Sequence, residues 1–251
     1  MRAGRARRLV LPVAAFAALI VLWEGLVVAL DVQQIILPRP SAVAATLIST
    51  AGPILHHARH TLLTTLVGFA AAVGLGLLLG FAIGASALVH EALYPLLVGF
   101  NSVPKAALVP LLVMWFGIGA VPAALTAFLL AFFPIAVNVA VGIATLEAEL
   151  RDVLRALGAS RWQIFAKVGV PRTMPLFFAS LKVAISSAFV GSVISETVAS
   201  NAGIGYLMAV AASDFNTRLA FAGLLVLAVM GVALYGLFAA IERRMTAWAY
   251  E

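Results

Sequence analysis

From Ala106 to Leu146 the chain runs 41 residues without an Asp, Glu, Lys or Arg. A bilayer is crossed by about 20 predominantly apolar residues, so this run is twice too long for one span and turns back once. Gly117, Gly119 and Pro122 mark the turn, since Gly and Pro interrupt helices. The first arm starts near Ala92 and is broken at Asn101-Ser102-Val103-Pro104-Lys105. The rest of the chain is of the same kind. Of 251 residues, 64% are hydrophobic and 10% charged, against about 25% charged in a soluble domain. The sequence is therefore that of an integral membrane protein. Cysteine is absent, which excludes disulfides, thiol catalysis and thiolate metal sites.

Five further runs follow the same logic. Leu9 to Leu30 is apolar except for Glu24, and follows the basic residues Arg2, Arg5, Arg7 and Arg8. It lacks a small-residue cleavage site at its end and reads as an uncleaved first span. Thr61 to Val89 is uncharged and carries Gly68, Gly74, Gly76, Gly80 and Gly84, the small residues that let helices approach closely in lipid. The second arm of the long run, Pro175 to Ala199 and Leu219 to Ile241 complete six spans. The expected fold is all-α, a polytopic bundle of about six transmembrane helices forming one domain over 1–251. Lys and Arg set the orientation. Eleven lie in the N-terminal tail, the 147–175 loop and the C-terminal tail, against three (Arg39, Arg59, Arg218) on the other side. This puts both termini in the cytoplasm, and accounts for the net charge of +6 without nucleic acid.

The 147–175 loop holds eight of the 26 charges between Glu147 and Arg172. Leu150, Val153, Leu154 and Leu157 fall at helical spacing on one face. Gly158 is a C-cap and Ser160 an N-cap for a second short helix carrying Trp162, Ile164, Phe165 and Val168, ended by Pro171 and Pro175. Two readings stand. The loop rests on headgroups with Trp162 as anchor, or it docks into another protein, for which an aromatic pair beside Arg161 and Lys167 is the usual composition.

These residues carry a resemblance. Asp152 to Pro171 resembles the cytoplasmic loop of ABC-importer permeases: Glu-Ala-Ala, three residues, Gly, nine residues, Ile-x-Leu-Pro. Asp152 stands for the Glu, Gly158 and Pro171 are in register, and Val168 and Val170 replace Ile and Leu. Val153 and Leu154 depart from the two alanines. Three more segments are similar to the nitrate/sulfonate/taurine branch: Leu37-Pro38-Arg39-Pro40-Ser41, Pro104 to Leu111 continuing through Trp115-Phe116-Gly117-Ile118-Gly119, and Glu196 followed by Ala202-Gly203-Ile204-Gly205-Tyr206-Leu207.

The resemblance implies a type I importer permease fold and an inner-membrane location. It also implies a second permease copy, two cytoplasmic ATPase subunits and an external substrate-binding protein. Asp152, Gly158, Arg161, Trp162, Phe165 and Pro171 would contact the ATPase. The solute would be a small anion of sulfonate, nitrate or taurine type. No Gly-x4-Gly-Lys-Ser/Thr occurs, so the chain is expected to be no enzyme and to bind no cofactor, ATP and Mg belonging to the ATPase partner.

Ionisable and amide groups inside spans are costly and mark function by default. Lys105, Asn138 and Glu196 are the candidates for the translocation pathway or gate. Glu24 is read as sitting near the interface or pairing within the bundle, and Lys182 as an ordinary snorkelling residue. An ion-coupled secondary transporter using Glu24 and Glu196 is the alternative. His56, His57 and His60 read as part of a polar loop in preference to a metal site.

Overall fold

The computed structural model describes residues 2–144 and 153–249. Among these it contains helices and no strand. The helices are α1 (Arg2–Ala29), α2 (Pro40–Ser49), α3 (Ala51–Ala85), α4 (Ala87–Ser102), α5 (Val109–Phe116), α6 (Ala120–Ala144), α7 (Arg161–Ile164), α8 (Val170–Ala199), α9 (Ile204–Ser213) and α10 (Thr217–Met245). Among the described residues α3, α6, α10 and the stretch Lys167–Ser213 that contains α8 are long and apolar enough to cross a bilayer. The α4–α5 pair, bent by 79° through a 3-10 turn at Lys105–Leu108, is together long and apolar enough to cross as a broken span or to enter and return. With α1, this is the bundle expected from hydropathy. The break falls at Val103-Pro104 and the turn between arms at Gly117–Gly119, as the Gly and Pro positions require.

Three boundaries differ from the sequence expectation. Helix α3 begins at Ala51, ten residues before Thr61, so His56, His57 and His60 are helical and not in a loop. At about 1.5 Å per residue its 35 residues reach about 52 Å, well beyond a hydrocarbon core of about 30 Å, so its first turns hold polar residues outside the lipid. Secondly, the chain does not stop at Pro171 and Pro175. Helix α7 passes through a π-helical segment, Phe165–Gly169, directly into α8. Pro171 stands in the first turn of α8, where a missing N–H costs least. The Thr173 hydroxyl donates to the Gly169 carbonyl at 2.8 Å. Thirdly, α2 and α9 are short helices that hydropathy does not reveal.

The core is a sandwich of α3, α6 and α8, with α6 in the middle and the most enclosed. Gly68, Ala72, Gly76, Gly80 and Gly84 repeat every four residues along the face of α3 that meets α6. A Cβ on Gly76 would lie 2.9 Å from Ile135 Cγ2, and one on Gly80 would lie 2.8 Å from Val139 Cβ. On α8, Gly191 meets the backbone of Thr126 and Ala127 in the same way. Backbones approach this closely only where side chains are missing, and the gain is dispersion contact that lipid cannot supply. Phe69, Phe132, Ile135, Ile185 and Phe189 fill the space beside the stripe. Near the other end of α8, Lys182 forms an ion pair with Glu242 of α10 at 2.5 Å, so it is a paired charge rather than a snorkelling one.

The stripe makes a graded prediction. Gly80→Val forces the α3–α6 backbones apart, and overpacking of this kind costs about 1–3 kcal/mol. Its melting midpoint in detergent should fall by several degrees, at about 2–4 °C per kcal/mol for a chain of this size. Gly74→Val, on the open face with nothing within 4 Å, should melt like the parent. Equal midpoints for the two variants would refute the packing role of the stripe.

Candidate functional site

Helix α9 starts in the middle of a polar cluster set between α3 and α8. Its first amides have no partner within the helix. Three are satisfied by side chains from elsewhere. The Gly203 N–H donates to Nδ1 of His57 (3.1 Å), the Ile204 N–H to Oγ1 of Thr61 (2.9 Å) and the Gly205 N–H to Oε2 of Glu196 (3.1 Å). Thr61 in turn donates to Glu196 Oε2 at 2.8 Å. Thr64 Oγ1 lies 3.5 Å from the other carboxylate oxygen and 2.5 Å from the hydroxyl of Ser192. His60 Nδ1 faces that same oxygen at 3.5 Å.

Glu196 is 1% exposed, and Thr61, Thr64, Ser192 and Ser195 are buried with it. A carboxylate taken out of water costs several kcal/mol unless it is closely hydrogen-bonded. Here the hydroxyls and the positive end of α9 provide that compensation.

The backbone shape is specific to this arrangement. Gly203 has φ +104°, which side chains disfavour, and a Cβ there would land on the Glu196 carboxyl group. A Cβ on Gly205 would meet Val193 O at 2.6 Å and Glu196 Cβ at 2.8 Å. Below the cluster Val43, Ile54, Ile204 and Ala222 join α2, α3, α9 and α10 in a second small core.

Glu196 thus stands where the sequence marks an unusual carboxylate. Thr61 and Thr64, which bond to it, and His57, which holds the Gly203 N–H beside it, are missed by sequence reasoning. The signal was the i, i+4, i+7 spacing of 57, 61 and 64, legible only once α3 extends upstream of Thr61.

The other pathway candidates are not gathered here. Lys105 is half-buried and donates from Nζ to the carbonyl of Asn101 (2.7 Å) and to its side-chain oxygen (2.6 Å). It thereby caps the end of α4 at the break. Asn138 donates to the Pro134 carbonyl at 2.8 Å within α6. Glu24 accepts from the backbone N–H of Ser41 (3.0 Å) and from its hydroxyl (2.7 Å), capping α2 from another helix as a bundle-internal partner.

The loop candidates lie at the opposite end of α8. Asp152 lies outside the described residues. A helical turn at 153–156 ends at Gly158, φ +84°, where the Ala159 N–H bonds the Leu154 carbonyl (3.0 Å) and the Gly158 N–H the Arg155 carbonyl (2.9 Å). This is a Schellman cap. Ser160 and Gln163 then form a reciprocal capping box: the Gln163 N–H bonds Ser160 Oγ (3.2 Å) and the Ser160 N–H bonds Gln163 Oε1 (2.8 Å). Arg161 and Trp162 open α7, Phe165 opens the π segment and Pro171 lies in the first turn of α8. Val153 and Leu157 are 56% and 78% exposed.

Among the described residues no three His, Asp or Glu side chains converge to hold a metal ion, the histidines of α3 included.

Residues 72–247 match the family model described as binding-protein-dependent transport system inner membrane component. The riboflavin transport system permease protein of Chloroflexus aurantiacus is 33% identical over 232 residues, covering 92% of this chain and 87% of the relative. The taurine transport system permease protein of Escherichia coli is 28% identical, covering 98% and 92%. The fold matches a chain of the MetNI methionine ABC transporter in an inward-facing form, with TM-score 0.68 at 19% identity over 79% of this chain and 98% of that one. The broken span, the small-residue core and the looped foot of α8 are therefore those of an ABC transporter permease, and the chain belongs to the family of binding-protein-dependent transport system inner membrane components.

Proposed function

We propose that this chain is the membrane-spanning subunit of an ATP-driven importer, forming the pathway for a small anionic solute of sulfonate, nitrate or taurine type. The observation that carries the reading is the continuity of α7, the π segment and α8. One helical rod joins the capped turn at Gly158–Ser160 to Glu196, over about 54 Å at 1.5 Å per residue. A motor that grips the foot of the rod acts on the cluster at its head.

The motor is a pair of cytoplasmic ATPase subunits, which bind ATP and Mg. Two permease copies present two feet, and an external binding protein delivers the solute. Asp152, Gly158, Arg161, Trp162, Phe165 and Pro171 form the contact with the ATPase. The exposed Val153 and Leu157 favour a protein partner over a headgroup-bound connector, because both are apolar and lie on a short polar turn. Both termini face the cytoplasm in the inner membrane. Glu196 gates the outer end, while Lys105 at the α4–α5 break and Asn138 on α6 line the pathway. An ion-coupled transporter needs a carboxylate free to exchange its proton, and both Glu24 and Glu196 are engaged by backbone amides.

Two experiments test this reading. The double variant Trp162→Ala, Phe165→Ala, and separately Gly158→Val, should lose ATPase subunits on co-purification with the tagged permease, while the bundle still inserts. Removal of one interface aromatic costs about 2 kcal/mol or more, about thirtyfold in affinity. Co-purification at the parent level would end the coupling assignment. For the anion, Lys105→Met should abolish uptake of the solute retained by the partner binding protein and leave assembly intact. Normal uptake would mean that Lys105 only caps α4.

A further inference from the structure

Of the three side chains that hold the start of α9, only His57 loses its capacity by taking a proton at the nitrogen in use. Its Nδ1 accepts the Gly203 N–H, so that nitrogen carries no proton in this structure. A protonated imidazole has two N–H donors and no acceptor. Two N–H groups would then face each other at 3.1 Å, and the bond becomes a repulsion. We infer that His57 is a positioning residue of the outer gate: as a neutral acceptor it ties the start of α9 to α3, and on protonation it lets this end go. The inference rests on the importer reading, which puts this end of the bundle outside.

The surroundings define the sign. On α3, His56 lies edge-on at 5.5 Å between ring centroids, His60 follows one turn later and the exposed Arg59 stands between them. Helix α8 contributes Glu196. Helix α9 contributes Tyr206, whose ring centroid is 5.9 Å from that of His57. His57 is half-buried, so protons from the outer solution reach it.

His60 has the opposite chemistry although it is one turn away. It holds no amide of α9 and faces the Glu196 carboxylate, so a proton on His60 adds attraction to α8 and releases nothing. The two histidines of one motif therefore respond oppositely to acid. This makes the assignment separable by mutation.

The test needs neither the solute nor the ATPase. The chain has no cysteine, so Ala202→Cys, half-buried beside Gly203, reports opening of this end to a membrane-impermeant maleimide in intact cells. Its rate is divided at each pH by that of Asn201→Cys, which is exposed already, to remove the titration of the thiol. With His57 present the normalised rate should rise by up to about fivefold from about pH 8 to about pH 5, the factor corresponding to one net hydrogen bond. Burial and the neighbouring His56 and His60 hold His57 below the ordinary imidazole range, so the rise comes at the acid end of that interval.

His57→Asn keeps an acceptor in nearly the same place and should be slow and flat with pH. His57→Ala should be fast at both ends. His60→Asn should retain the acid step. An acid step that survives in His57→Asn, or a His57→Ala rate equal to the parent at high pH, overturns the proposal. Labelling of both cysteines only after cells are permeabilised would instead refute the outward placement, and with it the importer topology.

Discussion

Lipid offers no hydrogen bonds, so each place where a helix stops inside or beside the bilayer must bring its own partners. An unsatisfied buried group costs about 1–3 kcal/mol. The interruptions of this chain are met one by one. Lys105 caps the carbonyl end of α4. Glu24 meets the first turn of α2. Ser160 and Gln163 close the turn before α7. His57, Thr61 and Glu196 meet the first three amides of α9. The polar residues that hydropathy marks as anomalies are those that let an apolar chain start and stop its helices.

Because backbone polarity is dealt with locally, packing is free to be close. The four-residue stripe from Gly68 to Gly84 and Gly191 on α8 bring α3, α6 and α8 together with backbone near backbone. The unit so formed is the frame of the molecule. Helix α1 lies outside it, packed against α2 and, through Trp23 beside Phe221, against α10. Helix α9 is held differently, across the mouth of the frame, by directional bonds to α3 and α8. The two sides of the cluster are fixed to a common neighbour, α6, while the element they hold is not.

This division explains what was legible in the sequence. The turn at Gly117–Gly119, the break at Pro104 and the extents of α6 and α10 follow from local signals, namely charge-free runs bounded by Gly, Pro or charge. The start of α3 was misread because His56, His57 and His60 look like a loop, whereas a helix that projects beyond the hydrocarbon carries polar residues at no cost. Helices α2 and α9 were invisible because their caps come from far along the chain: Glu24 lies 17 residues before Ser41, and Thr61 lies 143 before Ile204. Pro171 and Pro175 misled because the helix continues through both: Pro171 stands in the first turn of α8 and Pro175 inside it. Glu196 stood out as a carboxylate at a span end, but its partners depended on the register of a helix the sequence did not reveal.

The continuity of α7 with α8 then gives the cluster its mechanical meaning on the proposed reading. The rod is pinned along its length, by Gly142 against Thr173 near its foot, by Gly191 against Ala127 higher up and by Lys182 against Glu242 at its side. A displacement of the foot is therefore passed along the rod toward the head. At the head, the Glu196 carboxylate bonds Thr61 at 2.8 Å and Gly205 at 3.1 Å. Bonds of this kind weaken steeply when lengthened or misaligned. The three amide contacts, at about 1 kcal/mol each, add about 3 kcal/mol to the apolar packing of Ile204 in holding α9, a share worth about two orders of magnitude in the balance between two states. A ligand or motor moves an equilibrium only by its differential affinity for the two states. A gate secured in part by a few exchangeable hydrogen bonds, at the end of a continuous helical rod, meets that requirement.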